Sequence, residues 1–230
     1  MKLTSLSVFF PAFNDKETIP FLVRKAASIL PKITNDFEII IVNDGSKDGT
    51  AGVLKKLEKE FSHLKIIEHP VNRGYGAALK SGFRNAKKEF VFYTDGDGQY
   101  DVSEMKKLVK EMKDDVDVVN GYKINRADSV FRIVCGEIYS KFIKLVFGLK
   151  IRDIDCDFRL IRREVLQKIK PQKNSGAICV ELVKKIQDAG FKIVEVPVHH
   201  YPRTSGRSTF FSPINIIKTL IEDFAVLLGR

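Results

Sequence analysis

Short, almost wholly apolar runs recur along the first half of the chain, and each is followed by a polar turn and a segment with helical spacing. The runs begin at residues 6, 37, 64 and 90. Near-continuous apolar runs are typical of strands that are buried on both faces of a parallel sheet. Strands that alternate with helices build such a sheet. The pattern therefore predicts an α/β fold with a mostly parallel central sheet flanked by helices.

Helical segments are predicted between and after these strands. The first is expected to run from about Lys16 to Leu30, with Asn14 or Asp15 as its cap. The later helices are predicted at 50–61, 77–86, 103–113, 130–149, 178–189 and 213–228, and the later strands at 116–120, 158–161 and 191–198. A chain of 230 residues is long enough for one domain with a stable core.

Polar side chains follow three of the four early strands. They are Asn14-Asp15, Asn43-Asp44 and Asp95-Gly96-Asp97. In open parallel sheets, ligands bind outside the carboxyl ends of the strands. The sequence therefore predicts a binding site where these three strands end.

Asp95 and Asp97 are the strongest candidates for chemistry. Alternate residues of an extended chain point the same way, so both carboxylates are expected to face one point beyond the strand end. Two carboxylates suit Mg²⁺ or Mn²⁺, which usually bind one or two carboxylates together with substrate phosphates. Gly96 and Gly98 would let a large ligand approach the backbone. The alternative is a polar turn, since Asp-Gly is common in turns.

Composition limits the class of partner and the compartment. A formal net charge of +10 and a pI near 9.4 favour an anionic partner, such as nucleic acid, a phosphorylated substrate or an acidic lipid surface. The three cysteines form no CxxC motif and no Cys/His cluster, which predicts free thiols and no zinc site. No signal peptide and no membrane-spanning run is evident. We therefore expect a cytoplasmic protein.

An ordered set of motifs runs through nearly the whole chain. In order, they are Pro11-Ala12-Phe13-Asn14, Val42-Asn43-Asp44-Gly45-Ser46 with Asp48-Gly49-Thr50, 72–79 with Gly82, Asp95-Gly96-Asp97-Gly98-Gln99, 153–160 and the loop at 203–208. Each motif is weak alone, and the ordered set is specific. In these motifs the chain resembles family 2 glycosyltransferases of the GT-A fold, in the polyprenyl-phosphate branch that includes dolichyl-phosphate mannose synthase.

The resemblance implies a Rossmann-like GT-A domain and an inverting, metal-dependent hexosyltransferase. Its donor would be a nucleoside-diphosphate sugar carrying GDP or UDP, bound by 1–120, with the acceptor bound by 121–230. Asp95 and Asp97 would hold Mg²⁺ or Mn²⁺, which would neutralise charge on the departing nucleotide. The implied nucleotide-sugar contacts are Pro11, Asn14, Asp44, Gly74, Asp95, Gln99 and Arg203.

The implied acceptor is a polyprenyl phosphate, either dolichyl or undecaprenyl. Its phosphate is already an anion at neutral pH, so the enzyme mainly has to place it in line with the sugar carbon. Basic side chains, above all arginine, suit phosphate oxygens. The implied contacts to the acceptor phosphate are Lys123, Arg132 and Arg207, and the implied catalytic residues are Asp153 and Asp97.

The acceptor loop departs from the family pattern Asp-x-x-Ser-Gly-Phe. It reads Asp153-Ile154-Asp155-Cys156-Asp157-Phe158. Asp153 aligns with the family's acidic residue, and Asp155 and Asp157 leave open which carboxylate acts as a base. A hydroxyl acceptor needs a base, so transfer to a hydroxyl of a soluble or lipid-linked glycan stays an alternative.

A nucleic-acid-binding module is the alternative from another class. The spread of Lys and Arg over ordinary helices, without a recognisable nucleic-acid motif, argues against it. The C-terminal amphipathic helices at 130–149 and 213–228 are too polar to span a bilayer, and we expect them to lie on the cytoplasmic membrane face. The alternative is that both helices pack on the sheet or form a dimer contact, since an apolar helix face is usually part of a core. The side chains expected to dip into the membrane are Phe131, Phe142, Phe147, Phe210 and Phe211.

Overall fold

A computed structural model describes residues 2–125, 127, 130–204 and 213–227, without the side chains of 130–132, 135 and 213–217. The strands are β1 (Leu6–Ala12), β2 (Phe37–Asn43), β3 (Leu64–Glu68), β4 (Phe90–Thr94), β5 (Val118–Ile124), β6 (Phe158–Arg162) and β7 (Ile193–His199). The helices are α1 (Ile19–Ile29), α2 (Thr50–Glu60), α3 (Tyr75–Asn85), α4 (Met105–Glu111), α5 (Val130–Phe147), α6 (Arg163–Ile169), α7 (Ile178–Asp188) and α8 (Pro213–Leu227).

The strands form one sheet in the order β3-β2-β1-β4-β6-β5-β7. Neighbouring strands are parallel except at β6, which runs antiparallel to both β4 and β5. The predicted mostly parallel α/β sheet is confirmed. Because β6 is reversed, its first residue, Phe158, pairs with Thr94, the last residue of β4. The start of β6 therefore lies at the same edge of the sheet as the carboxyl ends of the parallel strands.

Apolar residues cover both faces of the sheet, as expected for strands buried between helix layers. Val8 and Phe10 of β1 face the cluster that contains the buried residues of α1 and α4. Phe9, between them, faces the opposite cluster with α3 and α7. There its ring stacks on Tyr93 at 5.3 Å and meets the edge of Phe83. This packing fixes β1 and β4 side by side and holds their carboxyl ends in register.

The start of the first helix differs from the prediction. Helix α1 begins at Ile19, with Thr18 at its N-cap and without a side-chain capping bond. The predicted caps are wrong, because the Asp15 carboxylate accepts instead from the backbone N–H of Phe13, at 2.9 Å. Asn14 has a positive φ of 60° and ends the strand in a turn. Asn14 and Asp15 therefore lie in the loop between β1 and α1, at the edge of the sheet.

Helices α5 and α8 pack against each other beside the sheet. The Tyr139 hydroxyl donates to the Asp223 carboxylate at 2.6 Å, and Val226 packs on the cluster around Ile143 and Phe147. Phe147 is only 6% exposed, so its predicted contact with a membrane is wrong. The opposite faces of both helices are apolar and exposed, with Val134, Ile138, Phe142, Leu145 and Val146 on α5 and Leu220, Ile221, Phe224 and Leu227 on α8. Among the described residues, the helices lack the length and apolar character needed to cross a bilayer.

Candidate active site

The loops that follow β1 and β2 are joined at the sheet edge. The backbone N–H of Asn14 donates to the Ser46 hydroxyl at 2.9 Å, and the Asn14 side-chain oxygen accepts from the backbone N–H of Lys47 at 2.8 Å. Pro11 lies buried within β1, one residue before the end of that strand. The predicted nucleotide contacts Pro11 and Asn14 therefore lie close to the loop that follows Asp44.

The segment Asp95–Gly98 is a turn, because β4 ends at Thr94. The argument from alternating side chains on an extended strand therefore does not apply to Asp95 and Asp97. A Cβ atom on Gly96 would lie 2.4 Å from the Pro11 carbonyl oxygen, so Gly96 is required by the approach of the chain to itself. The Thr18 hydroxyl donates to the Gly96 carbonyl at 2.6 Å and fixes the turn against the start of α1.

Asp97 is buried and contacts Arg203, one of the predicted nucleotide-sugar contacts. One of its carboxylate oxygens accepts from the Arg203 guanidinium, and the other accepts from the backbone N–H of Gln99 at 3.0 Å. Gln99 exchanges hydrogen bonds with Tyr201: its side-chain amide donates to the Tyr201 carbonyl, and its own carbonyl accepts from the Tyr201 N–H. The residues after β7 are thus tied to the turn after β4, which brings Asp97, Gln99 and Arg203 together.

Asp15 is the fourth member of this group; the sequence placed it among the polar residues at the strand ends but predicted no contact for it. Burial raises the pKa of Asp15 to about 6. The nearby Asp97 carboxylate raises it further, whereas the Phe13 backbone N–H and the Arg203 guanidinium oppose the shift. The adjacency of Asp15 to Asn14 was visible in the sequence, but its assignment as a helix cap hid this role.

Asp95 lies among other acidic and phenolic groups. The Tyr75 hydroxyl, at the start of α3, donates to its carboxylate at 2.7 Å. Burial raises the pKa of Asp95 well above its ordinary range, and the carboxylates of Asp157 and Asp97 add to the shift. This concentration of negative charge fits a bound divalent cation, because oxygen donors with net negative charge are what Mg²⁺ and Mn²⁺ prefer. Within the described chain, no three acidic, histidine or cysteine side chains converge in a metal-binding arrangement.

Asp157 stands where the family pattern has glycine, and it is held in a buried polar network. Its carboxylate accepts from the Tyr93 hydroxyl at 3.2 Å and lies 3.8 Å from the Arg159 guanidinium. Arg159 is almost fully buried and also donates to the Asn120 side chain, the Tyr93 hydroxyl and the Ile154 carbonyl. The network joins β4, β5 and β6, so the start of the reversed strand is anchored beside Asp95.

Asp153 and Lys123, predicted as a catalytic carboxylate and a phosphate contact, are brought together. The Asp153 carboxylate accepts from the Lys123 backbone N–H at 3.0 Å, and the Lys123 ammonium lies 3.3 Å from its other oxygen. The ammonium also donates to the Asp155 carbonyl at 2.6 Å. Burial raises the pKa of Asp155, and the Lys123 ammonium opposes that shift. The lysine thereby ties the acceptor loop to β5.

Asp44, the last of the predicted nucleotide contacts on the parallel strands, is buried at the end of β2. Its carboxylate accepts from the backbone N–H groups of Arg73 and Gly74, at 3.0 and 2.9 Å, and from His69 Nδ1 at 2.5 Å. Gly74 has a φ of 98°, and a Cβ atom there would lie 2.6 Å from the Asn174 carbonyl oxygen. Gly74 is therefore in contact with the protein itself, and its predicted contact with a nucleotide stays a prediction.

Two predicted phosphate contacts lie outside the described part of the structure. Arg132 belongs to α5, but its side chain is not described, and Arg207 lies in the undescribed segment 205–212. Phe210 and Phe211 lie in the same segment, and the Phe131 side chain is likewise not described. Of the residues that the structure does describe, it brings together Asp97, Gln99 and Arg203 in one group and Lys123 and Asp153 in another.

The geometry can be compared with that of known proteins. Residues 7–170 match the family model described as glycosyl transferase family 2. The chain is 29% identical over 224 residues to an undecaprenyl-phosphate 4-deoxy-4-formamido-L-arabinose transferase of Salmonella choleraesuis strain SC-B67, covering 95% of this chain and 67% of that protein. The residues matched by the family model include Asp44, Asp95, Asp97 and Asp153.

The fold is also found in solved structures. Glucosyl-3-phosphoglycerate synthase from Mycobacterium tuberculosis, in complex with Mn²⁺, UDP and glucosyl-3-phosphoglycerate, is 18% identical with a TM-score of 0.72, covering 99% of this chain and 80% of that one. The same enzyme with Mn²⁺ and UDP-glucose is 16% identical with a TM-score of 0.73, over 98% and 79%. These neighbours confirm the expected GT-A fold. With its family model matched over residues 7–170, the chain belongs to glycosyl transferase family 2.

Proposed function

We propose that this glycosyltransferase moves a sugar from a nucleoside-diphosphate sugar to a polyprenyl phosphate, with inversion at the sugar carbon and with Mg²⁺ or Mn²⁺ as cofactor. The observation that carries the proposal is the meeting of Asp95, Asp97 and Arg203 at the end of β4. The similar Salmonella protein, whose name gives undecaprenyl phosphate as its substrate, supports the acceptor class. The similar mycobacterial enzyme, solved with Mn²⁺ and UDP-glucose, supports the donor class and the cation.

In this proposal the donor diphosphate lies over the turn that follows β4. Asp95 and Asp97 would hold the cation, and it would supply Lewis-acid stabilisation of the departing nucleoside diphosphate. Arg203 contacts Asp97 and carries five N–H donors in a planar guanidinium, so it can bind that carboxylate and a phosphate at the same time. Pro11, Asn14, Asp44, Gly74 and Gln99 are proposed to line the rest of the donor site.

The acceptor phosphate is proposed to approach from the side of the Asp153 loop. A phosphate monoester is already ionised at neutral pH, so it needs positioning more than a base. Lys123 supplies positive charge there, and Asp153 holds Lys123 through its backbone N–H and its ammonium. Arg132 and Arg207 remain proposed phosphate contacts. Asp153 and Asp97 remain the proposed catalytic carboxylates.

The lipid tail is proposed to stay in a membrane against which α5 and α8 lie. The exposed apolar face of α5 includes Phe142 and Leu145, which are 60% and 83% exposed, and α8 adds Ile221 and Phe224. Lys141 and Lys218 are exposed on the same two helices and would favour anionic headgroups. Asp223, on the buried face of α8, lies close enough to Asp155 for the Asp155 carboxylate to raise its pKa, so helix α8 lies near the acceptor loop.

A product screen tests the proposed function. The purified protein is mixed with Mg²⁺ or Mn²⁺, with each of several GDP- and UDP-sugars, and with vesicles that contain undecaprenyl or dolichyl phosphate. Mass spectrometry of the lipid fraction should then show a polyprenyl-phosphate sugar. Parallel reactions with soluble and lipid-linked glycans provide the comparison. Glycosylated glycan without any lipid-phosphate product would refute the acceptor and support transfer to a hydroxyl.

A further inference from the structure

The side chains of Asp44, His69 and Ser81 form a continuous hydrogen-bonded chain next to the ends of β2 and β3. His69, which follows β3, has its Nδ1 atom 2.5 Å from the Asp44 carboxylate. Its Nε2 atom lies 2.8 Å from the hydroxyl of Ser81, in the middle of α3. The His69 and Asp44 side chains are each about 4% exposed. Because a carboxylate only accepts, Nδ1 must carry the proton, which leaves Nε2 for the Ser81 hydroxyl.

The order Ser81, His69 and Asp44 is that of a nucleophile, a base and an orienting carboxylate. A nucleophilic role for Ser81 is not supported by its position. Acyl transfer requires N–H donors beside the nucleophile to bind an oxyanion, and the amides of a helix interior already donate to carbonyls four residues earlier. Ser81 is the seventh residue of α3, well past the first turn, where amides are unpaired. Asp44 is therefore the residue of this chain that would contact a ligand, and Ser81 has a supporting role.

The hydrogen bonds to Asp44 leave its carboxylate nearly saturated. An ionised carboxylate has about four acceptor positions, two on each oxygen. Oδ1 accepts from His69 and from the Arg73 N–H, and Oδ2 accepts from the Gly74 N–H. Three donors on two oxygens fix both the position and the plane of the group. One acceptor position, on Oδ2, remains for a donor from a ligand.

We propose that His69 and Ser81 are positioning residues for nucleotide recognition. His69 orients the Asp44 carboxylate so that the remaining acceptor position on Oδ2 receives an N–H of the base or a hydroxyl of the ribose, and Ser81 fixes the ring of His69. This inference rests on the proposed donor site, in which Asp44 contacts the nucleoside end of the donor. The diphosphate end belongs to the separate group around Asp97 and Arg203.

Substitutions that differ in one hydrogen bond test the proposal. His69→Leu removes both ring bonds at similar volume, whereas His69→Asn keeps an N–H donor close to the position of Nδ1. Ser81→Ala removes only the outer bond. Asn85→Ala is the matched control, since Asn85 lies on the same helix and bonds to Lys65 and to the Ser81 carbonyl without contacting His69. Asp44→Ala removes the carboxylate itself and so gives the upper limit for the loss of nucleotide affinity.

Calorimetry with UMP, UDP, GMP and GDP, in the presence and absence of Mg²⁺, gives the readout. We expect His69→Leu to weaken binding about tenfold, as for loss of a hydrogen bond to a charged group, with His69→Asn and Ser81→Ala weakened less. The factor should be the same for the monophosphate and the diphosphate, and the same with and without Mg²⁺, because the affected contact lies at the nucleoside end. Asn85→Ala should bind like the wild type.

The outcomes separate this inference from the proposed function. If the wild type binds none of the four nucleotides, the donor assignment itself is wrong. If the wild type binds and His69→Leu and Ser81→Ala bind equally well, the positioning role is refuted while the donor site stands. A loss confined to the diphosphates would also refute it. Should His69→Leu fail to fold by circular dichroism, Ser81→Ala and His69→Asn decide, since unchanged affinity in both contradicts the proposal.

Discussion

Gly82 occupies the interior of α3, where alanine would ordinarily be the better residue. A Cβ atom at Gly82 would lie 2.4 Å from two carbon atoms of the Phe9 ring and 2.7 Å from a third. Carbon atoms in van der Waals contact lie about 3.5 Å apart or more, so the ring would have to move by about 1 Å. Phe9 is fully buried, stacked on Tyr93 and touched at its edge by Phe83. We therefore expect Gly82→Ala to destabilise the protein.

The size of the effect follows from two opposing contributions. Replacing glycine by alanine in a helix interior stabilises by about 1 kcal/mol. Overpacking a buried site costs about 1–3 kcal/mol and occasionally more, and a packed cluster of three aromatic rings has little room to yield. With the cost at the upper end of that range, the net loss is about 2 kcal/mol. For a chain of this size, this lowers Tm by about 4–8 °C.

Gly52 in α2 provides the matched control. A Cβ atom there would meet no atom within 4 Å, so Gly52→Ala should raise stability by about 1 kcal/mol. Urea unfolding followed by circular dichroism measures both variants against the wild type. A Gly82→Ala variant as stable as Gly52→Ala would refute the packing argument. It would also reopen a ligand-related reason for the glycine in this motif.

Three further predictions concern the site and the exposed helix face. Asp97→Ala should abolish glycosyl transfer, and Asp95→Ala should strongly reduce or abolish it. Full turnover in excess chelator would contradict the proposed cation site. The folded state raises the pKa of Asp15 to about 6, so the free energy of unfolding falls as pH rises from about 4 to 6 and stays lower above pH 6. Asp15→Asn should therefore raise the free energy of unfolding by about 1–2 kcal/mol at pH 7.5 and leave it unchanged at pH 3. Equal gains at both pH values in urea unfolding would contradict this. Phe142→Asp should reduce flotation with anionic vesicles and leave stability unchanged, whereas Phe147→Asp should unfold the protein, because Phe147 is buried.

The parallel part of the sheet could be predicted because it depends on local features. The apolar runs of β1, β2 and β3 are bounded by turns and separated by helices, and this pattern has few parallel-sheet solutions. The position of the site followed, since ligands bind at the carboxyl ends of such strands. The direction of β6 could not be predicted in the same way. Its sequence, Phe-Arg-Leu-Ile-Arg, carries no signal for direction, and the reversal is seen only in its antiparallel pairing with β4 and β5.

The reversal of β6 explains why the role of Asp157 stayed open in the sequence. In sequence, Asp157 is more than sixty residues from Asp95, and only the pairing of Phe158 with Thr94 places them together. The contacts of Gly74 and Gly96 were hidden for a related reason. A glycine that admits a ligand and a glycine that admits another part of the same chain look identical in a sequence. The Asn174 and Pro11 carbonyls, which fill these spaces, come from distant segments.

Helix α5 is another element whose packing could not be predicted from its sequence, and it carries an exposed apolar face. Its apolar residues form two stripes, one through Ile143 and Phe147 and another through Ile138, Phe142 and Leu145. The sequence cannot say which stripe meets the core, because both have helical spacing. In the fold, the first stripe packs against α7 and α8, and the second stays exposed. An apolar face this extensive, continued by α8, is typical of a contact surface, and a lipid acceptor needs one next to the acceptor loop.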